Sequence, residues 1–199
     1  MTDPHPKSTL HRYLGSARDA MLWKLDGLSE YDARRPLTPT GTNLLGLVKH
    51  LAAVEAGYFG RTFGRPFEGP AWLSDDTIES NADMWATAEE TRGGIITFYR
   101  DACAHSDVTI TTLALDTRGT VPHWPEERAS VTLHQILVHM IAETHRHAGH
   151  ADIVRELVDG AAGLRRDVSN LPEADAQWWA DYRLRLENVA READAGRTG

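Results

Sequence analysis

The sequence lacks the means for an internal disulfide, since Cys103 is its only cysteine. That usage fits a reducing compartment. It also lacks any apolar run of the roughly 18–20 residues needed to cross a bilayer. There is no block of like charges. Lys and Arg number 21 against 29 Asp and Glu, a formal net charge of −8. Surfaces that bind DNA or anionic lipid are usually basic, so neither nucleic acid nor membrane is an expected partner. The opening stretch "MTDPHPKSTLHRYL" has no basic-then-apolar signal pattern, and the cytoplasm is the expected location. No phosphate-cradling glycine loop and no strand–loop–helix nucleophile elbow occur, so those enzyme classes have no support.

What is present is an ordinary globular composition, 41% apolar and 25% charged over 199 residues. One domain with a sizeable core is expected at that length. Helical periodicity dominates. A first helix is expected over 9–28, behind Ser8, with Leu10, Tyr13, Leu14, Ala17, Met21, Leu25 and Leu28 on one stripe. A second, behind Thr42, covers 43–62 with Leu44, Leu47, Val48, Leu51, Val54 and Tyr58 on its stripe. Thr87 to Glu90 has capping-box form and predicts a third helix over 88–105, weakened in its middle by Gly93 and Gly94. Ser130 is the expected cap of a fourth over 131–158, stopped near Gly160, and a last amphipathic helix fits 173–193. "DVTITTLAL" comes nearest to a strand, and no strand of useful length is assigned. The expected fold is an all-α four-helix bundle, one domain with its core over about 9–158 and an additional C-terminal helix.

Ten histidines are present, and "ETHRHAGHAD" at 143–152 holds three of them. With His139 as zero and about 100° per residue, the apolar arc of Leu133, Ile136, Met140, Val154 and Val158 centres near roughly 60–120°. Glu143 falls at about 40° and His147 at about 80°, inside or beside that arc, and His150 at about 20°, on its shoulder with His139. His134 and His145 fall on the polar side. An ionised glutamate on a core face is costly unless it is paired or coordinated. Glu-x-x-x-His at helical spacing suits two ligands of one divalent ion. A third ligand must come from another helix, and His50, between Leu47 and Val54, can face the bundle. Bland readings stand beside this one. His50 is also readable as a hydrogen-bonded core histidine, the commoner role for a lone histidine beside an apolar stripe, and Glu143–His147 as a simple i,i+4 pair. Periodicity does not choose between them.

Weaker features complete the inventory. Cys103 reads as a small packed residue. Trp72, His123 and Trp124 lie in long proline-bordered loops, as loop anchors or as the rim of a pocket. The tryptophans of "QWWADYRLRLENV" are expected to pack on the bundle or on a second subunit.

"LLGLVKHLAAVEAGYFGRTFG" and "TLHQILVHMIAETHRHAGHADIVREL" resemble the DinB/YfiT-like family of four-helix proteins. The likeness is strongest to the branch near the mycothiol-dependent maleylpyruvate isomerase and thiol S-transferase proteins, and it runs from about residue 10 to 157. It implies an up-down-down-up bundle, a homodimer, and a divalent metal held by His50, Glu143 and His147. Zn2+ is the expected ion, with Ni2+, Fe2+ or Mn2+ also compatible with imidazole and carboxylate ligands. His150 and His139 are expected beside those ligands or on the pocket wall, and Trp72 and Trp124 at its rim. No counterpart of the isomerases' extra C-terminal domain is read here, so isomerase activity is not carried over. The implied function is a metal-dependent S-transferase that joins a low-molecular-weight thiol of the mycothiol type to a small electrophile. The alternatives are a metal-dependent hydrolase and a non-catalytic metal-binding stress-response protein.

Overall fold

The computed structural model describes residues 5–73, 81–166 and 168–196. The chain divides into two compact units, Met1–Ser169 and Asn170–Gly199.

Helix α1 spans Pro6–Trp23. It starts earlier than expected because His5 Nδ1 accepts the Lys7 N–H, at 3.3 Å. Pro6 also sits in the first turn, where a missing N–H costs nothing. It ends before residue 28 because the chain turns through Gly27 at φ 74, a left-handed conformation that suits glycine. Leu25 and Leu28 remain buried beyond its end. A short α2, Glu30–Arg34, follows.

Helix α3, Leu44–Glu55, is capped by Asn43 rather than Thr42, with the Asn43 side chain accepting the Gly46 N–H at 2.7 Å. It continues through a π turn, Ala56–Gly60, and a 3-10 turn, Arg61–Phe63, so the helical segment ends near the expected residue. Leu44 to Ala53 are buried except for His50, which is half-buried. A helix apolar on nearly every side belongs in the interior.

Helix α4 is Arg92–Thr112, not 88–105. Half of the expected capping box forms, since the Glu90 carboxylate accepts the Thr87 N–H at 2.7 Å. However, the Arg34 guanidinium takes the Thr87 and Glu90 carbonyls, at 2.8 and 2.7 Å, and so removes acceptors that a helix starting there would need. Thr91 is the cap, so Gly93 and Gly94 lie in the first turn instead of mid-helix. The helix runs on through "DVTITT" because Thr109 and Ile110 are buried against the bundle, and packing overrides β propensity.

A small hairpin was not anticipated. β1, Arg118–Thr120, pairs antiparallel with β2, Ser130–Thr132, around a short α5, Glu126–Ala129. Three-residue strands carry no readable period. Ser130 therefore lies in β2, and Thr132 caps the long α6, Leu133–Asp159, which ends at Gly160 with φ 79.

α1 packs chiefly on α6, and α3 on α4, while contacts of α3 with α6 and of α1 with α4 close the ring. The result is the all-α four-helix bundle. One core cluster gathers Met21, Leu25, Leu47, Leu51, Tyr99 and Val154, and another Leu14, Phe59, Ile110, Ile136 and Met140. Each such side chain contributes about 1.5–3 kcal/mol through burial. One ion pair crosses this core. Arg18 on α1 grips Glu55, the residue before the π turn, through Nε–Oε1 at 2.7 Å and Nη2–Oε2 at 2.8 Å.

In the second unit, α7 spans Ala176–Ala195 behind the Asp175 cap and buries no residue. Within it Trp178 stacks on Tyr182 at 5.2 Å. No helix among the described residues is long and apolar enough to cross a membrane.

Candidate functional site

The π turn and the middle of α6 face a cavity of ≈ 610 Å³. Two of its lining residues, His50 and Glu143, converge with His147. His50 Nε2 lies 3.5 Å from Glu143 Oε1, and His147 Nε2 lies 2.9 Å from the same oxygen. One ligand atom from each residue lies within 4.8 Å of the others, a group that could hold a metal ion. The two imidazole centroids are 4.9 Å apart. Helical spacing on α6 aims Glu143 and His147 the same way, and α3 supplies His50 from the facing side.

His50 is oriented from behind. Its Nδ1 donates to Asp83 Oδ2 at 2.6 Å, and Asp83 is buried. Sequence reasoning missed Asp83 because it lies in an irregular loop. A glycine explains its position. A Cβ on Gly46 would stand 1.8 Å from the Met84 carbonyl oxygen, so only glycine lets that backbone lie against α3. Gly46 is one turn before His50, and the next loop residue back from Met84 meets the imidazole. Buried Lys49 anchors the same segment through the Trp85 carbonyl and the Glu90 carboxylate, both at 2.9 Å.

Electrostatics separate the three groups. Burial alone would depress His50, but the hydrogen bond and charge of Asp83, with Glu143, raise it above its ordinary value. Burial and the neighbouring His50 lower His147. Burial opposes ionisation of Glu143, yet His147 and His50 hold its carboxyl below the usual range. The site therefore keeps a carboxylate between two imidazoles.

The other expected residues divide. His150 Nδ1 is 3.4 Å from His147 Nδ1, on the side of the ring away from Glu143. His139 lines the cavity, its ring 4.7 Å from Tyr58 and 5.3 Å from Trp124, and burial lowers its pKa. Trp124 Nε1 donates to the Tyr58 hydroxyl at 3.2 Å. Trp72 lies elsewhere, in an apolar cleft with Pro70, Ile95 and Phe98, under the Lys49 ammonium at 4.5 Å. Its chain neighbour Leu73 is the one that reaches the main cavity. His134 is exposed, whereas His145, expected in solvent, is half-buried and donates Nδ1–H to the Ile141 carbonyl at 2.9 Å. Burial, with Glu55 nearby, pushes the Cys103 thiol far above its ordinary value, so it is a packed thiol and not a nucleophile. Tyr58 also went unrecognised as a pocket residue, because its place on the apolar stripe of the expected second helix read as core.

A carboxylate set between two imidazoles, one of them backed by a buried aspartate, opens onto a cavity large enough for a small molecule. The mycothiol S-transferase family model matches residues 9–160 of the chain. The chain belongs to that family. The match spans nearly all of the bundle and contains His50, Asp83, Glu143 and His147. It agrees with the likeness carried by "TLHQILVHMIAETHRHAGHADIVREL". A search of curated proteins finds no match to the chain.

Proposed function

We propose that the protein is a metal-dependent mycothiol S-transferase that conjugates the thiol to a small electrophile. His50, Glu143 and His147 are the metal ligands in this reading. The observation that carries it is the convergence of His50, Glu143 and His147, with one ligand atom from each within 4.8 Å of the others. Nδ1 of His50 donates to Asp83, so in the neutral imidazole Nε2, 3.5 Å from Glu143 Oε1, is the nitrogen that would bind the ion. Two imidazoles and one carboxylate suit zinc or a similar divalent ion and leave a position open. Such an ion supplies a lowered thiol pKa, so that the thiolate exists near neutrality.

The chain's own residues do the rest. Asp83 fixes the tautomer of His50, and His150 holds the outer nitrogen of His147, roles that tune a site. Ala53, Val54, Gly57, Leu73 and Pro122 line the cavity, keep water from its wall and hold the apolar body of an electrophile beside the thiol. Confinement of both reactants in one cavity replaces a bimolecular encounter.

Elemental analysis of protein purified without a nickel column should find about one divalent ion per chain, and chelation should abolish conjugation of mycothiol to an alkyl halide. Full conjugation by metal-free protein would remove the reading. Asp83→Asn should weaken metal binding about 10–100-fold, as loss of a carboxylate behind a ligating histidine does. A competition titration against a metal-binding dye checks this, and an unchanged affinity would mean that Asp83 only packs. The family likeness also implies a homodimer, and α7 exposes Leu184, Leu186 and Val189 along its length. Sedimentation should give twice the chain mass at micromolar concentration, and a species of single chain mass alone would refute it.

A further inference from the structure

We propose that Tyr58 is the acid that protonates the oxygen of the electrophile, which makes epoxides the substrate class of this cavity. This rests on the S-transferase reading above and adds a second reacting group to it.

Tyr58 carries the only hydroxyl among the described residues that line the cavity. Its position is over-determined. The π turn presents it, and such turns often occur at functional sites. Its ring meets His139 at 4.7 Å, His123 at 5.6 Å and Trp124 at 5.9 Å, edge to face in each case. The Trp124 indole can only donate, so it occupies a lone pair of the phenol oxygen, at 3.2 Å. A phenylalanine would fill the same apolar space, so the hydroxyl with its dedicated donor is what packing leaves unexplained. The donor stabilises the phenolate that would remain after proton transfer, and it does so without reorganisation. His123 Nε2 lies 3.3 Å from the same oxygen, and His123, which also lines the cavity, is exposed. It connects the phenol to solvent. His139, which packs on the Tyr58 ring, is one helical turn before Glu143, and both line the cavity. Burial raises Tyr58 above the ordinary phenol value, so it is protonated at neutrality and able to donate.

The step balances as follows. The thiol has lost its proton to solvent on binding. The sulfur electron pair forms the S–C bond, the C–O bond of the epoxide breaks with its pair going to oxygen, and that oxygen takes the Tyr58 proton. The phenolate recovers a proton from solvent through His123. The product is a β-hydroxy thioether. An alkyl halide needs no such acid, because halide leaves as a stable anion.

The test compares two electrophiles, styrene oxide and bromobimane, with mycothiol and metal-loaded enzyme. Tyr58→Phe should lower kcat/KM for styrene oxide roughly hundredfold, the worth of a positioned general acid. It should lower the conjugation of bromobimane far less, and leave metal content and helical circular dichroism near wild type. Trp124→Phe keeps an aromatic wall but removes the donor, and should cost roughly tenfold on the epoxide alone, the worth of one hydrogen bond. Equal losses on both electrophiles, or no loss on either, would overturn the acid role. So would a wild-type enzyme that conjugates mycothiol to bromobimane but ignores the epoxide. A wild-type enzyme inactive on both would remove the S-transferase reading itself, and the acid role with it.

Discussion

Glu143→Gln should cost the protein the proposed metal while leaving its helices intact. Glutamine keeps the side-chain volume and one acceptor oxygen but removes the charge. The carboxylate now sits between His50 Nε2 and His147 Nε2, at 3.5 and 2.9 Å from one oxygen. A neutral amide there offers a divalent ion far less. Loss of a group behind a ligand already costs about 10–100-fold, so loss of a charged ligand should reduce conjugation at least about hundredfold. His50→Ala should behave alike, since no other histidine of α3 can replace it. Stability should barely move, because Glu143 is half-exposed and belongs to neither core cluster. Metal content by elemental analysis and conjugation rate should fall together, with unchanged circular dichroism. If Glu143→Gln bound metal as tightly as wild type, the carboxylate–histidine pair would be a structural contact only.

Arg18→Met should have the opposite profile, unfolding the protein early while sparing the proposed metal ligands. The Arg18 side chain is 8% exposed and that of Glu55 is fully buried. Burial by itself would weaken the hold of the guanidinium on its proton, but Glu55 outweighs it and keeps Arg18 charged. Removing Arg18 leaves a carboxylate in the core with its strongest partner gone. Breaking such a pair from one side costs about 3–5 kcal/mol. The Asp107 contact to Arg18, at 2.7 Å, adds less, because Asp107 is 43% exposed and water can replace it. Urea unfolding should show the midpoint shift. Arg18→Met combined with Glu55→Leu should recover most of the loss, since no charge is then stranded. A single variant within about 1 kcal/mol of wild type would mean that Glu55 finds another partner or is reached by water.

These two sites differ in how far the sequence discloses them. Glu143, His147 and His150 share a face of one long helix, and the 3.6-residue period places them relative to the apolar arc. His50 could be put on the bundle side for the same reason. The Arg18–Glu55 pair could not be read, because its partners lie 37 positions apart on different helices and neither residue type announces burial. Boundaries failed where tertiary groups competed for helix ends. Arg34 draws carbonyls away from the expected start of α4, and the apolar core extends that helix across a β-prone segment.

The sequence by itself determined the four long helices, the face of α6 that carries the carboxylate and imidazoles, and, through "TLHQILVHMIAETHRHAGHADIVREL", the family. Those properties follow from local periodicity and from contiguous residues. Only the tertiary structure decided which loop groups complete the site. Asp83 reaches His50 because Gly46 lets a distant backbone lie against α3, and Trp124 and His123 reach Tyr58 because the chain between α4 and α6 folds back onto the π turn. Nothing in a one-dimensional period records how an irregular loop returns to a helix, since its course is set by close approach, side-chain anchors and hydrogen bonds made far along the chain.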